Sequence, residues 1–213
     1  MSGIRAVLFD FGGVLAEEGF SSALESLAAA QRLQVQDMTA EGARAVYDSG
    51  FVLGRGTESA FWSLLRQRTG LRGDDAALTA EVLKQFVVRP WMLELVGQLK
   101  RRGYVIGILS DQTDWLDLLD AQYHFYKQFD RVYNSYYLGK GKRDPSVFRD
   151  VAADLDLPAS SILFVDDNDD NVSRALAAGM QAIRYVSRAE FLQAMERSLQ
   201  DKLGQSDQTI VAP

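Results

Sequence analysis

The chain has 213 residues, 29 acidic against 23 basic, a net charge of −6, no cysteine and a single histidine, His124. This excludes disulfide frameworks, thiol chemistry and sites built from several histidines, and argues against nonspecific binding to nucleic acid or an anionic membrane. An apolar fraction of 47 %, no run near the roughly 20 residues of a membrane span, and no leader-like N-terminus make a soluble cytoplasmic protein the expectation.

A first strand is predicted from Ile4 to Phe9, ending at Asp10 and a Gly12-Gly13 turn. From Phe20 to Val88 the pattern turns helical: Leu24, Leu27 and Ala28, then Phe61, Leu64 and Leu65, then Leu78, Val82, Leu83 and Phe86. No strand is expected there, and Thr57 is placed to cap the helix carrying Trp62. Trp62 is expected to pack within this insertion, and Glu17, Glu18 and Glu58 are assigned to it or to its hinge. Pro90 opens a helix through Leu99 that Gly103 ends. Strand Tyr104 to Leu109 and a helix from Thr113 to Tyr123 follow, then a strand over Arg131 to Tyr133 and a helix from Ser146 to Leu155. Strand Ile162 to Val165, a helix from Asn168 to Ala178, strand Gln181 to Tyr185 and a helix from Arg188 to Leu203 complete the order. The alternation predicts an α/β fold, a doubly wound parallel sheet. The α/β core is expected over 1–15 and 90–203, a helical cap insertion over 16–89 and a mobile tail over 204–213. His124 and the tyrosines 133, 136 and 137 are read as structural.

Three apolar runs stop at small polar or acidic residues: Ala6 to Phe9 at Asp10, Val105 to Leu109 at Ser110, Ile162 to Val165 at Asp166-Asp167. Ligands of open α/β sheets bind beyond the carboxyl ends of the strands, so all three breaks should face one crevice. A carboxylate at a strand end is placed to attack phosphorus. Adjacent carboxylates repel unless a cation compensates, and all-oxygen ligation suits Mg²⁺. The run from Asp166 to Asn171 superficially resembles a calcium loop, but it lacks the Gly at the sixth position and has Ala177 where the distal Glu belongs. Asp169 and Asp170 instead read as N-terminal helix charges. Ser110 stands where a hydroxyl and the following amides meet phosphoryl oxygens. Lys140, Lys142 and Arg143 supply cations just before a helix.

In this order the four segments resemble the haloacid dehalogenase-like hydrolase superfamily from Ile4 to Tyr185. Asp10-Phe11-Gly12-Gly13 is similar to its first motif, Leu109-Ser110-Asp111 to the second, Lys142-Arg143-Asp144-Pro145 to the third, and Asp166-Asp167 with Asn171 to the fourth. Within the superfamily the chain looks most like bacterial sugar-phosphate phosphatases of the glucose-1-phosphate phosphatase type. The resemblance implies a Rossmann-like core with a helical cap, and Mg²⁺-dependent hydrolysis of a small phosphate monoester through an aspartyl-phosphate. Asp10 would be nucleophile and metal ligand. The Gly12 carbonyl and Asp167 would be further ligands, with Asp166 beside them. Ser110 and Lys142 would hold the phosphoryl group, with Asp111, Gly12 and Gly13 around it, and Lys142 would also touch Asp10.

Two positions depart from the family pattern. Many of its phosphatases carry a second aspartate, a general acid/base, where this chain has Gly12, and such help is typically worth about 10²–10⁴-fold. Asp111 stands where Asn is usual. It would either stand in partly for the missing acid/base or lower phosphate affinity. The rival functions are a 2-haloacid dehalogenase, which needs no metal, and a phosphate-binding regulatory protein on the same fold. The expected partner is a small phosphorylated metabolite, with no nucleic acid and no membrane.

Overall fold

The computed structural model describes residues 3–199; the expected tail, and the expected extension of the last helix to Leu203, lie outside them. Five parallel strands form one sheet: β1 (Ala6–Phe9), β2 (Val105–Ser110), β3 (Arg131–Asn134), β4 (Ile162–Asp166) and β5 (Gln181–Arg184). Their order is β3-β2-β1-β4-β5, so the chain winds outward from β1 in both directions. The doubly wound α/β class is thus the observed one.

All four residues of β1 and all five of β4 are buried, as continuous apolar runs of a two-sided sheet require. Successive side chains serve opposite faces. Val7, Phe9, Ile106, Ile108, Leu163 and Val165 join one apolar cluster, which Leu95, Leu119 and Phe191 cover. Ala6, Leu8, Leu109, Ile162 and Phe164 join the other, under Val147, Phe148 and Val151. The covering helices are α5 (Pro90–Arg101), α6 (Trp115–Tyr123) and α10 (Arg188–Leu199) on the first face. On the second they are α8 (Ser146–Asp154) and α9 (Asp169–Ala177). α7 (Ser135–Leu138) is a single turn directly after β3 that the apolar pattern does not reveal.

Between β1 and α5 lie only helices: α1 (Gly19–Gln31), α2 (Val35–Asp48), a 3-10 turn at Phe51–Leu53, α3 (Glu58–Thr69) and α4 (Asp75–Gln85). Thr57 Oγ1 accepts from Ala60 N and caps α3, as expected. Trp62 is fully buried and donates to Thr79 at 3.0 Å. The two crossings are tied together: Glu17 N donates to Val87 O, and Arg89 N to Leu15 O, both at 2.9 Å. The apolar cluster on this face of the sheet runs on into the helices without a break. Among the described residues no helix is long and apolar enough to cross a membrane.

Candidate active site

Register brings the three polar breaks together. Phe9 pairs with Ile108 on one side and Val165 on the other, which puts Asp10 level with Leu109 and Asp166, one step short of Ser110. Asp10 N donates to Val165 O at 2.9 Å, extending the ladder by one residue past β1. Asp10, Asp166 and Asp167 each place one carboxylate oxygen within 4.8 Å of the others.

Lys142 stands among them, 1 % exposed. Its Nζ lies 2.7 Å from Asp10 Oδ2 and 2.6 Å from Asp166 Oδ2. Burial works against its charge, but Asp10, Asp166 and Asp111 outweigh it and hold the ammonium above its ordinary pKa. Burial pushes Asp10 well above the usual carboxylate range; Lys142 opposes this and the Asp166 charge adds to it. Asp167 is also raised, by burial first and then by Asp166 and Glu18. Three carboxylates against one ammonium leave two net negative charges when all are ionised, which matches one divalent cation.

The Asp pair divides its work. Asp166 is fully buried and anchored by Lys142, by Asn168 N at 2.8 Å and by Asn171 Nδ2 at 3.2 Å. Asp167 is half-buried and faces the cavity. Asn168 caps α9 by accepting from Asp170 N and Asn171 N, which leaves Asp169 and Asp170 in the first turn. Asp10 Oδ1 is held at 2.7 Å by Phe11 N.

Gly13 has a φ of +77°, and a Cβ there would lie 2.3 Å from Asp167 Oδ2, so no other residue fits beside that carboxylate. Ser110 is buried with its Oγ near the Asp10 carboxyl, favouring its ionised form. Yet that hydroxyl completes no hydrogen bond of normal geometry among the described residues. Asp111 has both oxygens engaged: Oδ1 accepts from Lys142 N at 2.8 Å and Oδ2 from Tyr47 Oη at 2.6 Å. Of the neighbouring cations, Lys140 pairs with Asp150, and the Arg143 guanidinium stacks 3.6 Å above the Tyr47 ring.

A cavity of about 590 Å³ opens over these groups. Asp10, Gly12, Asp111, Lys142 and Asp167 line it, while Gly13, Ser110 and Asp166 stand behind its surface. Its other wall is helical: Phe20, Val46, Tyr47 and Val52. Sequence reasoning missed Tyr47, whose place in the site depends on its hydrogen bond to Asp111, far along the chain. It also missed Arg89, whose Nη1 donates to Gly13 O and Val14 O, both at 2.7 Å, and so clamps the turn after Asp10.

Residues 4–179 match the model of a hydrolase family described as haloacid dehalogenase-like hydrolase. Drimenol cyclase drtB of Aspergillus calidoustus is 23 % identical over 192 residues, 88 % of this chain, which spans only 35 % of that relative. Phosphatase MT3486 of Mycobacterium tuberculosis (strain CDC 1551 / Oshkosh) is 26 % identical over 188 residues, 84 % of this chain and 86 % of the relative. Among solved structures, the HAD family enzyme bt-2542 of Bacteroides thetaiotaomicron, in complex with magnesium and inorganic phosphate, shares the fold with a TM-score of 0.68 at 21 % identity, covering 87 % of this chain and 96 % of that one. So does an L-2-haloacid dehalogenase of Xanthobacter autotrophicus with chloropropionic acid covalently bound, with a TM-score of 0.64 at 21 % identity, covering 99 % and 85 %.

Proposed function

The chain belongs to the haloacid dehalogenase-like hydrolases, and on that premise we propose that it is a Mg²⁺-dependent phosphatase of small phosphate monoesters, with a sugar phosphate as the substrate class. The observation that carries this reading is the three-carboxylate cluster of Asp10, Asp166 and Asp167 with Lys142 inserted between two of its members. A site for a neutral or halide leaving group gains nothing from so much buried negative charge, whereas a divalent cation needs it. The phosphatase relative and the magnesium–phosphate complex of a fold neighbour point the same way.

Asp10, Asp167 and the Gly12 carbonyl are the groups that would hold Mg²⁺, with Asp166 fixing the arrangement from behind. When bound, the ion supplies positive charge between a carboxylate nucleophile and the phosphoryl oxygens, so that two anions can meet. Asp10 is the nucleophile: Phe11 N fixes one oxygen and Lys142 orients the other. Attack on phosphorus forms an aspartyl-phosphate and expels the alcohol; water then hydrolyses it and restores Asp10. Lys142 stabilises the charge that develops on the phosphoryl group, and the unpartnered Ser110 hydroxyl is free to donate to it. Asp111, with both oxygens engaged, holds the Lys142 backbone in place rather than moving protons. In this reading residues 16–89 form a helical cap over the core, supplying the apolar wall and excluding water. The cavity volume suits a small metabolite.

The test is phosphate release from a panel of phosphate monoesters with Mg²⁺ or EDTA, alongside Asp10→Asn. Metal-dependent turnover that vanishes in the variant is expected. Chloride release from 2-haloacids in EDTA would replace this reading with the dehalogenase one. No turnover of either class would leave a phosphate-binding protein.

A further inference from the structure

Among the described residues three cations line the cavity, and two of them are neutralised within the protein. Lys142 is paired with Asp10 and Asp166, and Arg184 Nη1 lies 2.7 Å from Asp169 Oδ2. The third, Arg143, forms no ion pair with any described carboxylate. It is nonetheless held at both ends. Its loop is packed on Asp111: Lys142 N donates to Asp111 Oδ1 at 2.8 Å, and a Cβ on Gly141 would lie 2.7 Å from the same oxygen. Its guanidinium carbon lies 3.6 Å from the centre of the Tyr47 ring, and the Tyr47 hydroxyl donates to Asp111 Oδ2 at 2.6 Å. One carboxylate therefore fixes both the loop that carries Arg143 and the ring on which it rests. Stacking occupies the flat face of a guanidinium and leaves the N–H groups along its edge free. Those groups are the ones that grip a carboxylate or a phosphate through two parallel bonds.

The reacting centre does not need this charge. Three ionised carboxylates, Lys142 and one divalent cation already sum to zero. A second anionic group on the substrate would find no counter-charge there, and the other free-standing acids of the wall are matched: Asp169 by Arg184, and Asp170 by Arg174 at 3.5 Å. We propose that Arg143 determines specificity, and that the substrate is an acidic sugar phosphate: a phosphate monoester whose departing alcohol carries a second anionic group, a carboxylate or another phosphate, bound by the stacked guanidinium. This rests on the phosphatase reading and narrows its substrate class. The stack makes the site preorganised, so little side-chain freedom is lost when the anion binds. Because Tyr47 belongs to α2, the helical insertion takes part in the choice by supplying the platform.

The experiment sorts the panel of phosphate monoesters into matched pairs. Glucose 6-phosphate is set against 6-phosphogluconate, which adds a carboxylate, and fructose 6-phosphate against fructose 1,6-bisphosphate, which adds a phosphate. The wild type is compared with Arg143→Met, which keeps an unbranched stem against Tyr47, and with Arg143→Lys, which keeps the charge without the planar fork. The wild type is expected to favour the acidic member of at least one pair by about tenfold in kcat/KM, and the pair that shows the preference identifies the anion. In Arg143→Met the KM of that substrate should rise about tenfold with kcat unchanged, as loss of binding alone requires, while its neutral partner keeps its constants. Arg143→Lys should fall between the two. The preference should also shrink as salt is added. No preference for the acidic member of either pair would overturn the proposal. So would equal losses on both members in Arg143→Met, which would mean that the stack only ties the two walls together. Turnover that persists in Asp10→Asn, or no phosphate released from any ester of the panel by the wild type, would instead overturn the phosphatase reading itself.

Discussion

The two walls of the cavity are built on opposite principles. The sheet-side wall is made of charges held by register and burial: Asp10, Asp166 and Lys142 sit at strand ends or in a loop packed on them, with exposures of 8 %, 0 % and 1 %. The helix-side wall is mainly apolar, with Glu18, Ser21 and Tyr47 as its polar members, and a few polar contacts tie the insertion across to the core. Ser135 Oγ donates to Val52 O at 2.8 Å, Arg55 Nη2 to Gly139 O at 2.6 Å, and Trp115 Nε1 to Glu58 Oε2 at 2.9 Å. The charged wall is intolerant, because removing one member strands another in low dielectric. The apolar wall is built from contacts that substitute for one another.

The sharpest way to break this contrast is at Lys142. Lys142→Met leaves Asp10 and Asp166 buried without a cation. Removing one partner of a buried pair costs about 3–5 kcal/mol, and a loss of about 10²–10³-fold in turnover accompanies the missing transition-state charge. Urea unfolding with and without Mg²⁺ measures it: the deficit should narrow when Mg²⁺ is present, since the cation neutralises the same carboxylates. A variant as stable as the wild type without metal would mean that the buried triangle carries no strain.

Asp167 gives the opposite sign. Burial, Asp166 and Glu18 raise its carboxyl above the ordinary value of 3.8. A carboxyl raised on folding favours the fold only while protonated. That contribution is complete below the unfolded pKa and is lost as pH rises through the folded one. Asp167→Asn cannot ionise, so it should raise Tm at neutral pH by roughly 2–4 °C, with the advantage shrinking towards acid, while Mg²⁺ binding is lost. Scanning calorimetry across pH checks the sign; a variant less stable at neutral pH than in acid, relative to wild type, would reverse it. The expected sign means that the charged wall is kept for function against stability.

These walls also differ in how far the sequence discloses them. Each strand of the sheet was readable, because a run such as Ile162 to Val165 must be apolar on both faces and must stop where the crevice begins. Asp10, Ser110 and the Asp166-Asp167 pair were readable for the same reason: position at a strand end is a statement about one local stretch; Lys142, in the loop before α8, stood out through the resemblance of Lys142-Arg143-Asp144-Pro145 to the family's third motif. The partition of the pair was less so, since only the fold shows that Asn168 and Asn171 tie down Asp166 and leave Asp167 in the cavity. Tyr47 was invisible, because its role depends on a bond to a residue 64 positions away. The idea that Asp111 replaces a missing acid also fades once both its oxygens are seen to be engaged, and no local pattern could have disclosed that.

Asp111 is where the walls meet, and it offers the smallest and most discriminating perturbation. One oxygen accepts from Lys142 N on the charged wall; the other accepts from the Tyr47 hydroxyl on the helical wall. Burial and the Asp111 charge both raise the Tyr47 phenol, so it remains protonated and donating throughout the physiological range. Tyr47→Phe keeps the ring beneath Arg143 and deletes only that donor. A hydrogen bond to a charged acceptor is worth about 1.5–3 kcal/mol when buried; Asp111 and Tyr47 are partly exposed, so a cost below that range, about 1 kcal/mol, is expected. The effect should fall on KM, by less than about tenfold, because the bond positions the substrate-facing walls and touches no reacting atom. A double-mutant cycle with Asp111→Asn separates contact from coupling: an interaction energy of about 0.5 kcal/mol or more would show that the helical wall is braced through the same carboxylate that holds the Lys142 loop. Strict additivity would show two walls that touch without supporting one another, and would confine the site's rigidity to the sheet.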